Sequence, residues 1–225
     1  MQIDPENTEA LQSLASVRMS QQRPEEAKGI LEKAWSTWHE LEAGGSQCLS
    51  SSRALSDRTF VDDPRLPPIA SRLNLTKLFL ELSLFTPALM VLQGIMASDD
   101  EEVEAWYLEG WCFFLMSEQA REKGGKLDEL TWEELARDSR DCLETCKMVC
   151  SDRASQLSAV LKYTLQLHAN QGHPDLPIRD HVQELISKLE ELGIKPSPED
   201  GGQDDDEDWE DYEESNSDNS DVEMS

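Results

Sequence analysis

The chain has 225 residues, with 47 Asp plus Glu against 20 Lys plus Arg and a formal net charge of −27 at pH 7. Such an excess of acid argues against recognition of nucleic acid through its phosphates, which needs a basic face, and favours a basic protein partner. The stretch from Glu199 to Ser225 holds 14 of the acids and no Lys or Arg, which leaves residues 1–198 at −13, so the body is acidic too.

The opening MQIDPENTEA lacks the basic and apolar regions of a signal peptide. The most apolar stretch, LNLTKLFLELSLF, is cut by Lys77 and Glu81 and falls short of the ~20 apolar residues of a membrane span. A soluble, intracellular chain whose five cysteines stay reduced is expected. Glycine and proline are sparse in the body, and apolar residues recur at helical spacing, which predicts an all-α fold.

In chain order, TEALQSLASVRM offers Leu11, Leu14, Ala15 and Val17, and EEAKGILEKAWSTWHEL offers Ala27, Ile30, Leu31, Ala34, Trp35, Trp38 and Leu41. Two helices joined by a tight turn follow, with Pro24 at a first-turn position. The pair is similar to a tetratricopeptide repeat of about 34 residues, in which small and large apolar residues alternate where helices approach closely. Counted from Thr8, Leu11, Leu14, Ala15, Ala27, Leu31 and Ala34 fall at positions 4, 7, 8, 20, 24 and 27, while Arg18 breaks the pattern at 11.

Ala88 lies 61 residues after Ala27, one period plus 27, and the Gly/Ser/Pro-rich stretch AGGSQCLSSSRALSDRTFVDDPRLPP accounts for the surplus as a loop insertion at about 43–68. Leu75, Phe79, Ala88, Leu92 and Ile95 then form a second repeat. A third opens in AWYLEGWCFFL with Trp106, Gly110 and Phe113, and a second insertion at about 117–130 delays its second helix, WEELARDSRDCLETCKMVC, so that Ser139, Leu143 and Cys146 complete it. After Cys150 the sequence predicts a further helix in RASQLSAVLKYTLQLHAN and a last one in IRDHVQELISKLEELGI, with Gly193 as C-cap. Residues 1–195 thus read as a helical solenoid of three to four helix pairs, and 196–225 as a disordered acidic tail. Pro5 falls at position 32, where a preceding repeat would finish, so the count expects either an upstream repeat or a self-capping first helix.

Cys142, Cys146 and Cys150 share a helix face and could hold a soft metal, but they coincide with the apolar face of a repeat helix and read as small core residues. His39, His168, His173 and His181 share no ligand spacing, and the Gly124–Gly125 pair has no strand before it. No cofactor, metal or catalytic set emerges, and the chain is not expected to be an enzyme. Helix-lining positions 2, 5, 9 and 12 of the repeats give Glu9, Gln12, Ser16 and Met19, then Ala70, Leu73, Lys77 and Leu80, then Glu104, Tyr107, Trp111 and Phe114. Of these, Leu73, Lys77, Glu104, Tyr107, Trp111 and Phe114, together with Glu101 and Glu102, form the expected partner-binding set, since rings beside carboxylates suit Arg, Lys and apolar side chains. The fixed Lys and Asn set that grips the tails of heat-shock chaperones is not matched, because Gln12 and Ser16 occupy two of its places. In the tail, Trp209 and Tyr212 lie among acids, and Ser215 and Ser220 have an acid three residues on, which suits acid-directed kinases.

EVEAWYLEGWCFFL, TWEELARDSRDCLETCKMV, the DHVQELISKLEELG helix and the acidic tail together resemble the dedicated assembly chaperones of ribosomal protein four of the large subunit, known best from fungi. The resemblance is specific in 103–149 and generic in the first repeat. It implies capture of the newly made ribosomal protein through its long internal extension, protection of its solubility, and escort to pre-ribosome assembly in the nucleus. Residence in cytoplasm and nucleus is expected; no basic import signal is visible in the sequence, so entry on the client's own signal is the expectation, and the acidic charge and lack of an apolar span leave nucleic acid and membrane out as direct partners. A general tetratricopeptide scaffold or co-chaperone adaptor, or an acidic histone-type chaperone, is the alternative.

Overall fold

A computed structural model describes residues 7–41, 66–127, 129–156 and 176–197. Its described part is mostly helical, and none of its helices is long and apolar enough to cross a membrane. Helix α1 spans Thr8–Ser20 and starts because the Asn7 side chain accepts a hydrogen bond from the Ala10 N–H at 2.9 Å. Helix α2, Pro24–Ser36, opens on a proline whose missing N–H would have no helical partner in any case. Helix α3, Ile69–Glu81, and helix α4, Phe85–Ser98, form a second pair.

The turns inside these two pairs repeat the sequence period. The Arg23 N–H reaches the Arg18 carbonyl at 3.0 Å, and 61 residues later the Leu84 N–H reaches the Phe79 carbonyl at 2.9 Å. Each turn carries a left-handed residue, Gln22 at φ 58° and Ser83 at φ 56°, as a helix-terminating Schellman turn requires. A third bond of the same kind, from the Gly125 N–H to the Ala120 carbonyl at 2.7 Å, closes helix α5, Val103–Glu122.

Helix α5 corrects the expected insertion at 117–130. Its last six residues continue the helix, with Ser117 and Ala120 buried on the core side. A two-residue hairpin then pairs β1, Lys126–Leu127, with β2, Leu130–Thr131, in antiparallel register Lys126↔Thr131 and Leu127↔Leu130. Helix α6, Trp132–Gln156, starts in a capping box: the Thr131 N–H donates to the Glu134 carboxylate at 2.8 Å and the Glu134 N–H to the Thr131 hydroxyl at 3.3 Å. Helix α7, Leu176–Glu191, ends at Gly193, whose φ of 77° agrees with its predicted capping role. The stretch expected as the first insertion lies outside the described residues apart from 66–68, as do 157–175, most of the predicted helix after Cys150, and all of the expected 196–225 tail except 196 and 197.

Packing arranges the helices in two layers. Helices α1, α3, α5 and α7 touch one another in succession, and α2, α4 and α6 each pack against the two members of that series that flank them in the chain. The residues named by the repeat count fill the space between layers: Ala15, Ala27, Leu31, Leu75, Phe79, Ala88, Leu92 and Ile95 are all at 0% exposure. A second cluster unites Val103, Phe114, Leu143 and Cys146 with Val182, Leu185, Ile186 and Leu189 of α7. Helices α5 and α6 approach closely at Gly110, where an added Cβ would meet Leu143 Cγ at 2.8 Å and the Ser139 carbonyl at 3.2 Å. Ser139 fits there because its hydroxyl donates to the Gly110 carbonyl at 2.7 Å, which satisfies a fully buried polar side chain.

Candidate functional site

The expected binding set divides into a core part and a surface part. Leu73 is 4% exposed and Phe114 6% exposed, each inside a hydrophobic cluster, so both are packing residues and present no side chain to a partner. Their positions face the joints between neighbouring first-layer helices, where a large apolar residue is covered by the next helix. Gln12 is likewise turned inward, its amide donating to the Ser71 carbonyl at 3.0 Å across the α1–α3 joint.

What remains is an acidic and aromatic strip along α3, α5 and α7. Lys77 of α3 pairs with Glu104 of α5 at 2.5 Å, both half-exposed. Tyr107 and Trp111 stack at 5.9 Å between ring centroids, one helical turn apart on α5. His181 of α7 meets both rings edge-on at 5.7 Å, and its Nδ1 lies 2.8 Å from the Tyr107 hydroxyl. The α7 helix therefore covers one flank of the aromatic pair and leaves the pair half-buried.

The electrostatics follow from burial next to carboxylates. Burial, then the Glu104 charge and Cys146, pushes the Tyr107 phenol up to about 12, so it remains neutral and able to donate its hydrogen bond. Glu109, on the opposite side of α5, is 7% exposed and its carboxyl is raised by burial; the Cys142 thiol donates to it at 3.5 Å, which offsets part of that rise. Burial also pushes the Cys112 thiol up to about 12. Cys146 is buried in the second cluster with its thiol toward the Val103 carbonyl at 3.6 Å, and among the described residues no group of three or more side chains is placed to hold a metal.

The run from Asp99 to Glu104 is held as a helix start. The Glu102 carboxylate caps the Glu104 N–H at 3.2 Å, Asp99 accepts from the Glu101 N–H at 3.1 Å, and the Trp106 indole donates to the Asp100 carbonyl at 2.8 Å. Carboxylates favour that end of the helix dipole, and Glu101 still points its charge into solvent. Sequence reasoning found this strip but missed His181 and the clamp on α7. Arg140 of α6, 9% exposed, donates to the Ile194 carbonyl at 2.5 Å and pairs with Glu190 at 3.0 Å and Glu144 at 2.9 Å. Only the Arg140–Glu144 spacing of four residues was a signal available in the sequence.

Comparison with protein-family models gives no match. Two curated proteins are similar to the chain. A protein of Emericella nidulans named "Probable assembly chaperone of rpl4" is 30% identical over 215 residues, which is 92% of this chain and 48% of that protein. A protein of Schizosaccharomyces pombe with the same name is 31% identical over 195 residues, 86% of this chain and 47% of that protein. The chain spans about half the length of the curated relatives it matches.

Proposed function

We propose that the chain is a dedicated chaperone of a newly made ribosomal protein, rpl4, that holds the client's extended basic segment, keeps it soluble and delivers it to pre-ribosome assembly. The observation that carries this reading is the similarity across 86–92% of the chain to two proteins named for assembly of rpl4. The physical chemistry agrees: a body at −13 with rings beside carboxylates suits a segment rich in Arg and Lys that is destined for RNA. We read the helix pairs as tetratricopeptide repeats, supported by the turns 61 residues apart and by the Gly110–Ser139 approach.

In this reading the client lies along α3 and α5, meeting Glu101, Glu102, Glu104, Lys77, Tyr107 and Trp111, and Leu73 and Phe114 support that strip from below. The acidic sequence after residue 198 adds range to the attraction, and the pair shuttles between cytoplasm and nucleus on the client's import signal. Dilution of rpl4 from denaturant tests the solubility claim. With one equivalent of chain rpl4 stays in the supernatant after centrifugation, whereas an acidic control protein of equal net charge leaves it in the pellet. Equal rescue by both proteins would favour an unspecific acidic chaperone of histone type instead.

A further inference from the structure

Immediately after α7 the sequence runs Lys195-Pro196-Ser197-Pro198-Glu199-Asp200. Ser197 is exposed and non-helical, and a single carboxylate of α6 holds both of its donors: its N–H reaches Asp141 Oδ1 at 3.0 Å and its hydroxyl reaches Oδ2 at 2.5 Å. Three residues earlier the Ile194 carbonyl is gripped by Arg140, and the Ile194 side chain, 8% exposed, closes the second cluster. Leu192–Ser197 is thus a strap fastened to α6 at two points. Its outer fastening is a serine with proline at the next position and acid three residues on, the local pattern accepted by proline-directed and by acid-directed protein kinases.

We propose that Ser197 is a phosphorylation site and that the phosphate unfastens the strap from α6. On the kinase, the Ser197 oxygen attacks the γ-phosphorus of a nucleoside triphosphate. The Oγ–P bond forms, the bond from that phosphorus to the bridging oxygen breaks, the nucleoside diphosphate leaves with the electron pair, and the hydroxyl proton passes to the kinase's base. The product has lost the donor that Asp141 Oδ2 accepted and carries about −1.5 to −2 charge against the same carboxylate.

The surroundings do not compensate. Asp138 lies close enough to Asp141 for its own carboxyl to be raised by that charge after burial, and Glu144 stands one turn on. Of the nearby cations, Arg140 is already held by Glu144, Glu190 and the Ile194 carbonyl, the Arg137 charge acts on Asp138, and Lys195, exposed on the strap itself, offsets only part of the added charge because a solvent-exposed pair is screened. Repulsion therefore acts on the strap, loosening the cover over the second cluster and the attachment from which the acidic sequence departs. The inference does not depend on the identity of the client.

The full chain, with Ser215→Ala and Ser220→Ala to simplify the map, is incubated with ATP and a proline-directed or an acid-directed kinase, and modified residues are located by mass spectrometry. In parallel, a chain with phosphoserine placed at 197 during synthesis is compared with the unmodified chain by hydrogen exchange. At least one kinase class modifies Ser197, and amide exchange across 192–197 rises about tenfold or more on phosphorylation, because opening is no longer opposed. In an Asp141→Asn background the strap exchanges faster from the start, and the phosphate adds less than about a threefold increase. Absence of modification by both classes overturns the proposal. So does unchanged protection in the phosphoserine chain, which would mean that Arg137 or Arg140 regrips the phosphate.

Discussion

Gly110 shows how tightly a single residue governs the α5–α6 joint. With Leu143 Cγ at 2.8 Å from an added Cβ and helix backbone at 3.2 Å, Gly110→Ala pushes the helices apart. The expected cost is about 1–3 kcal/mol, read by urea denaturation, as for other overpacked cores. The left-handed turn residues act in the opposite direction. Ser83→Gly removes a Cβ from φ 56° on an exposed turn and is expected to stabilise the chain by about 0.5–1 kcal/mol in the same assay. Titration is a third test at this scale. Cys112 and Tyr107 are both raised to about 12, from ordinary values of 9.0 and 10.0, so the native state holds its protons longer than the unfolded chain does. The Cys112 contribution is complete below pH 9 and is lost as pH rises from 9 through 12, at up to about 1.4 kcal/mol per pH unit; that of Tyr107, complete below pH 10 and lost from 10 through 12, is smaller because its half-buried ring is partly screened by solvent. Thermal melts across that range are expected to fall steadily, and a flat profile would contradict the burial of these two groups.

At the scale of elements, the repeat count found the helices whose contacts are local in sequence and missed what depends on distant partners. Alanines 15, 27 and 88, Leu92 and Ile95 were legible because a fixed spacing of small and large residues has one packing consequence. Leu14 fits the same spacing yet is 41% exposed, since no described helix lies against the outer face of α1. The end of α5 was misread because Lys123, Gly124 and Gly125 look like a loop, whereas the residues before them bury Ser117 and Ala120. Half of the candidate site was legible on the same terms: Glu104, Tyr107 and Trp111 follow from helical periodicity, but His181 lies 74 positions from Tyr107 and has no local signal. Element-level stability rests on Arg140. Replacing it by Ala leaves Glu190 and the Ile194 carbonyl without their donor. The change is expected to cost about 1.5–3 kcal/mol. Hydrogen exchange is expected to place that loss in α7 and 192–197 first, leaving α1–α4 protected.

The whole molecule combines an ordered acidic array with further acid outside it, and the two act at different ranges. Long-range attraction decays over roughly 10 Å at 0.1 M salt, so it accelerates encounter with any basic chain and weakens as salt rises. On the proposed reading, client contacts with Tyr107 and Trp111 act at van der Waals distance and resist screening. Specific recognition of rpl4 by this array therefore predicts a residual affinity that salt does not remove, together with a salt-sensitive component that histone shares. Glu101→Lys separates the two, since Glu101 is exposed and only its backbone is used in capping, so it changes the field without disturbing the core.

The most direct test is titration of the full chain with the internal extension of rpl4 and with histone at 50 and 300 mM salt, using the wild type, Glu101→Lys and Trp111→Ala. Binding to the extension is predicted to persist at 300 mM with histone binding lost. Trp111→Ala is predicted to weaken the salt-resistant part about tenfold or more, and Glu101→Lys chiefly the salt-sensitive part. Equal binding of both ligands that vanishes at 300 mM and ignores Trp111 would contradict the account, leaving net charge alone to explain the attraction.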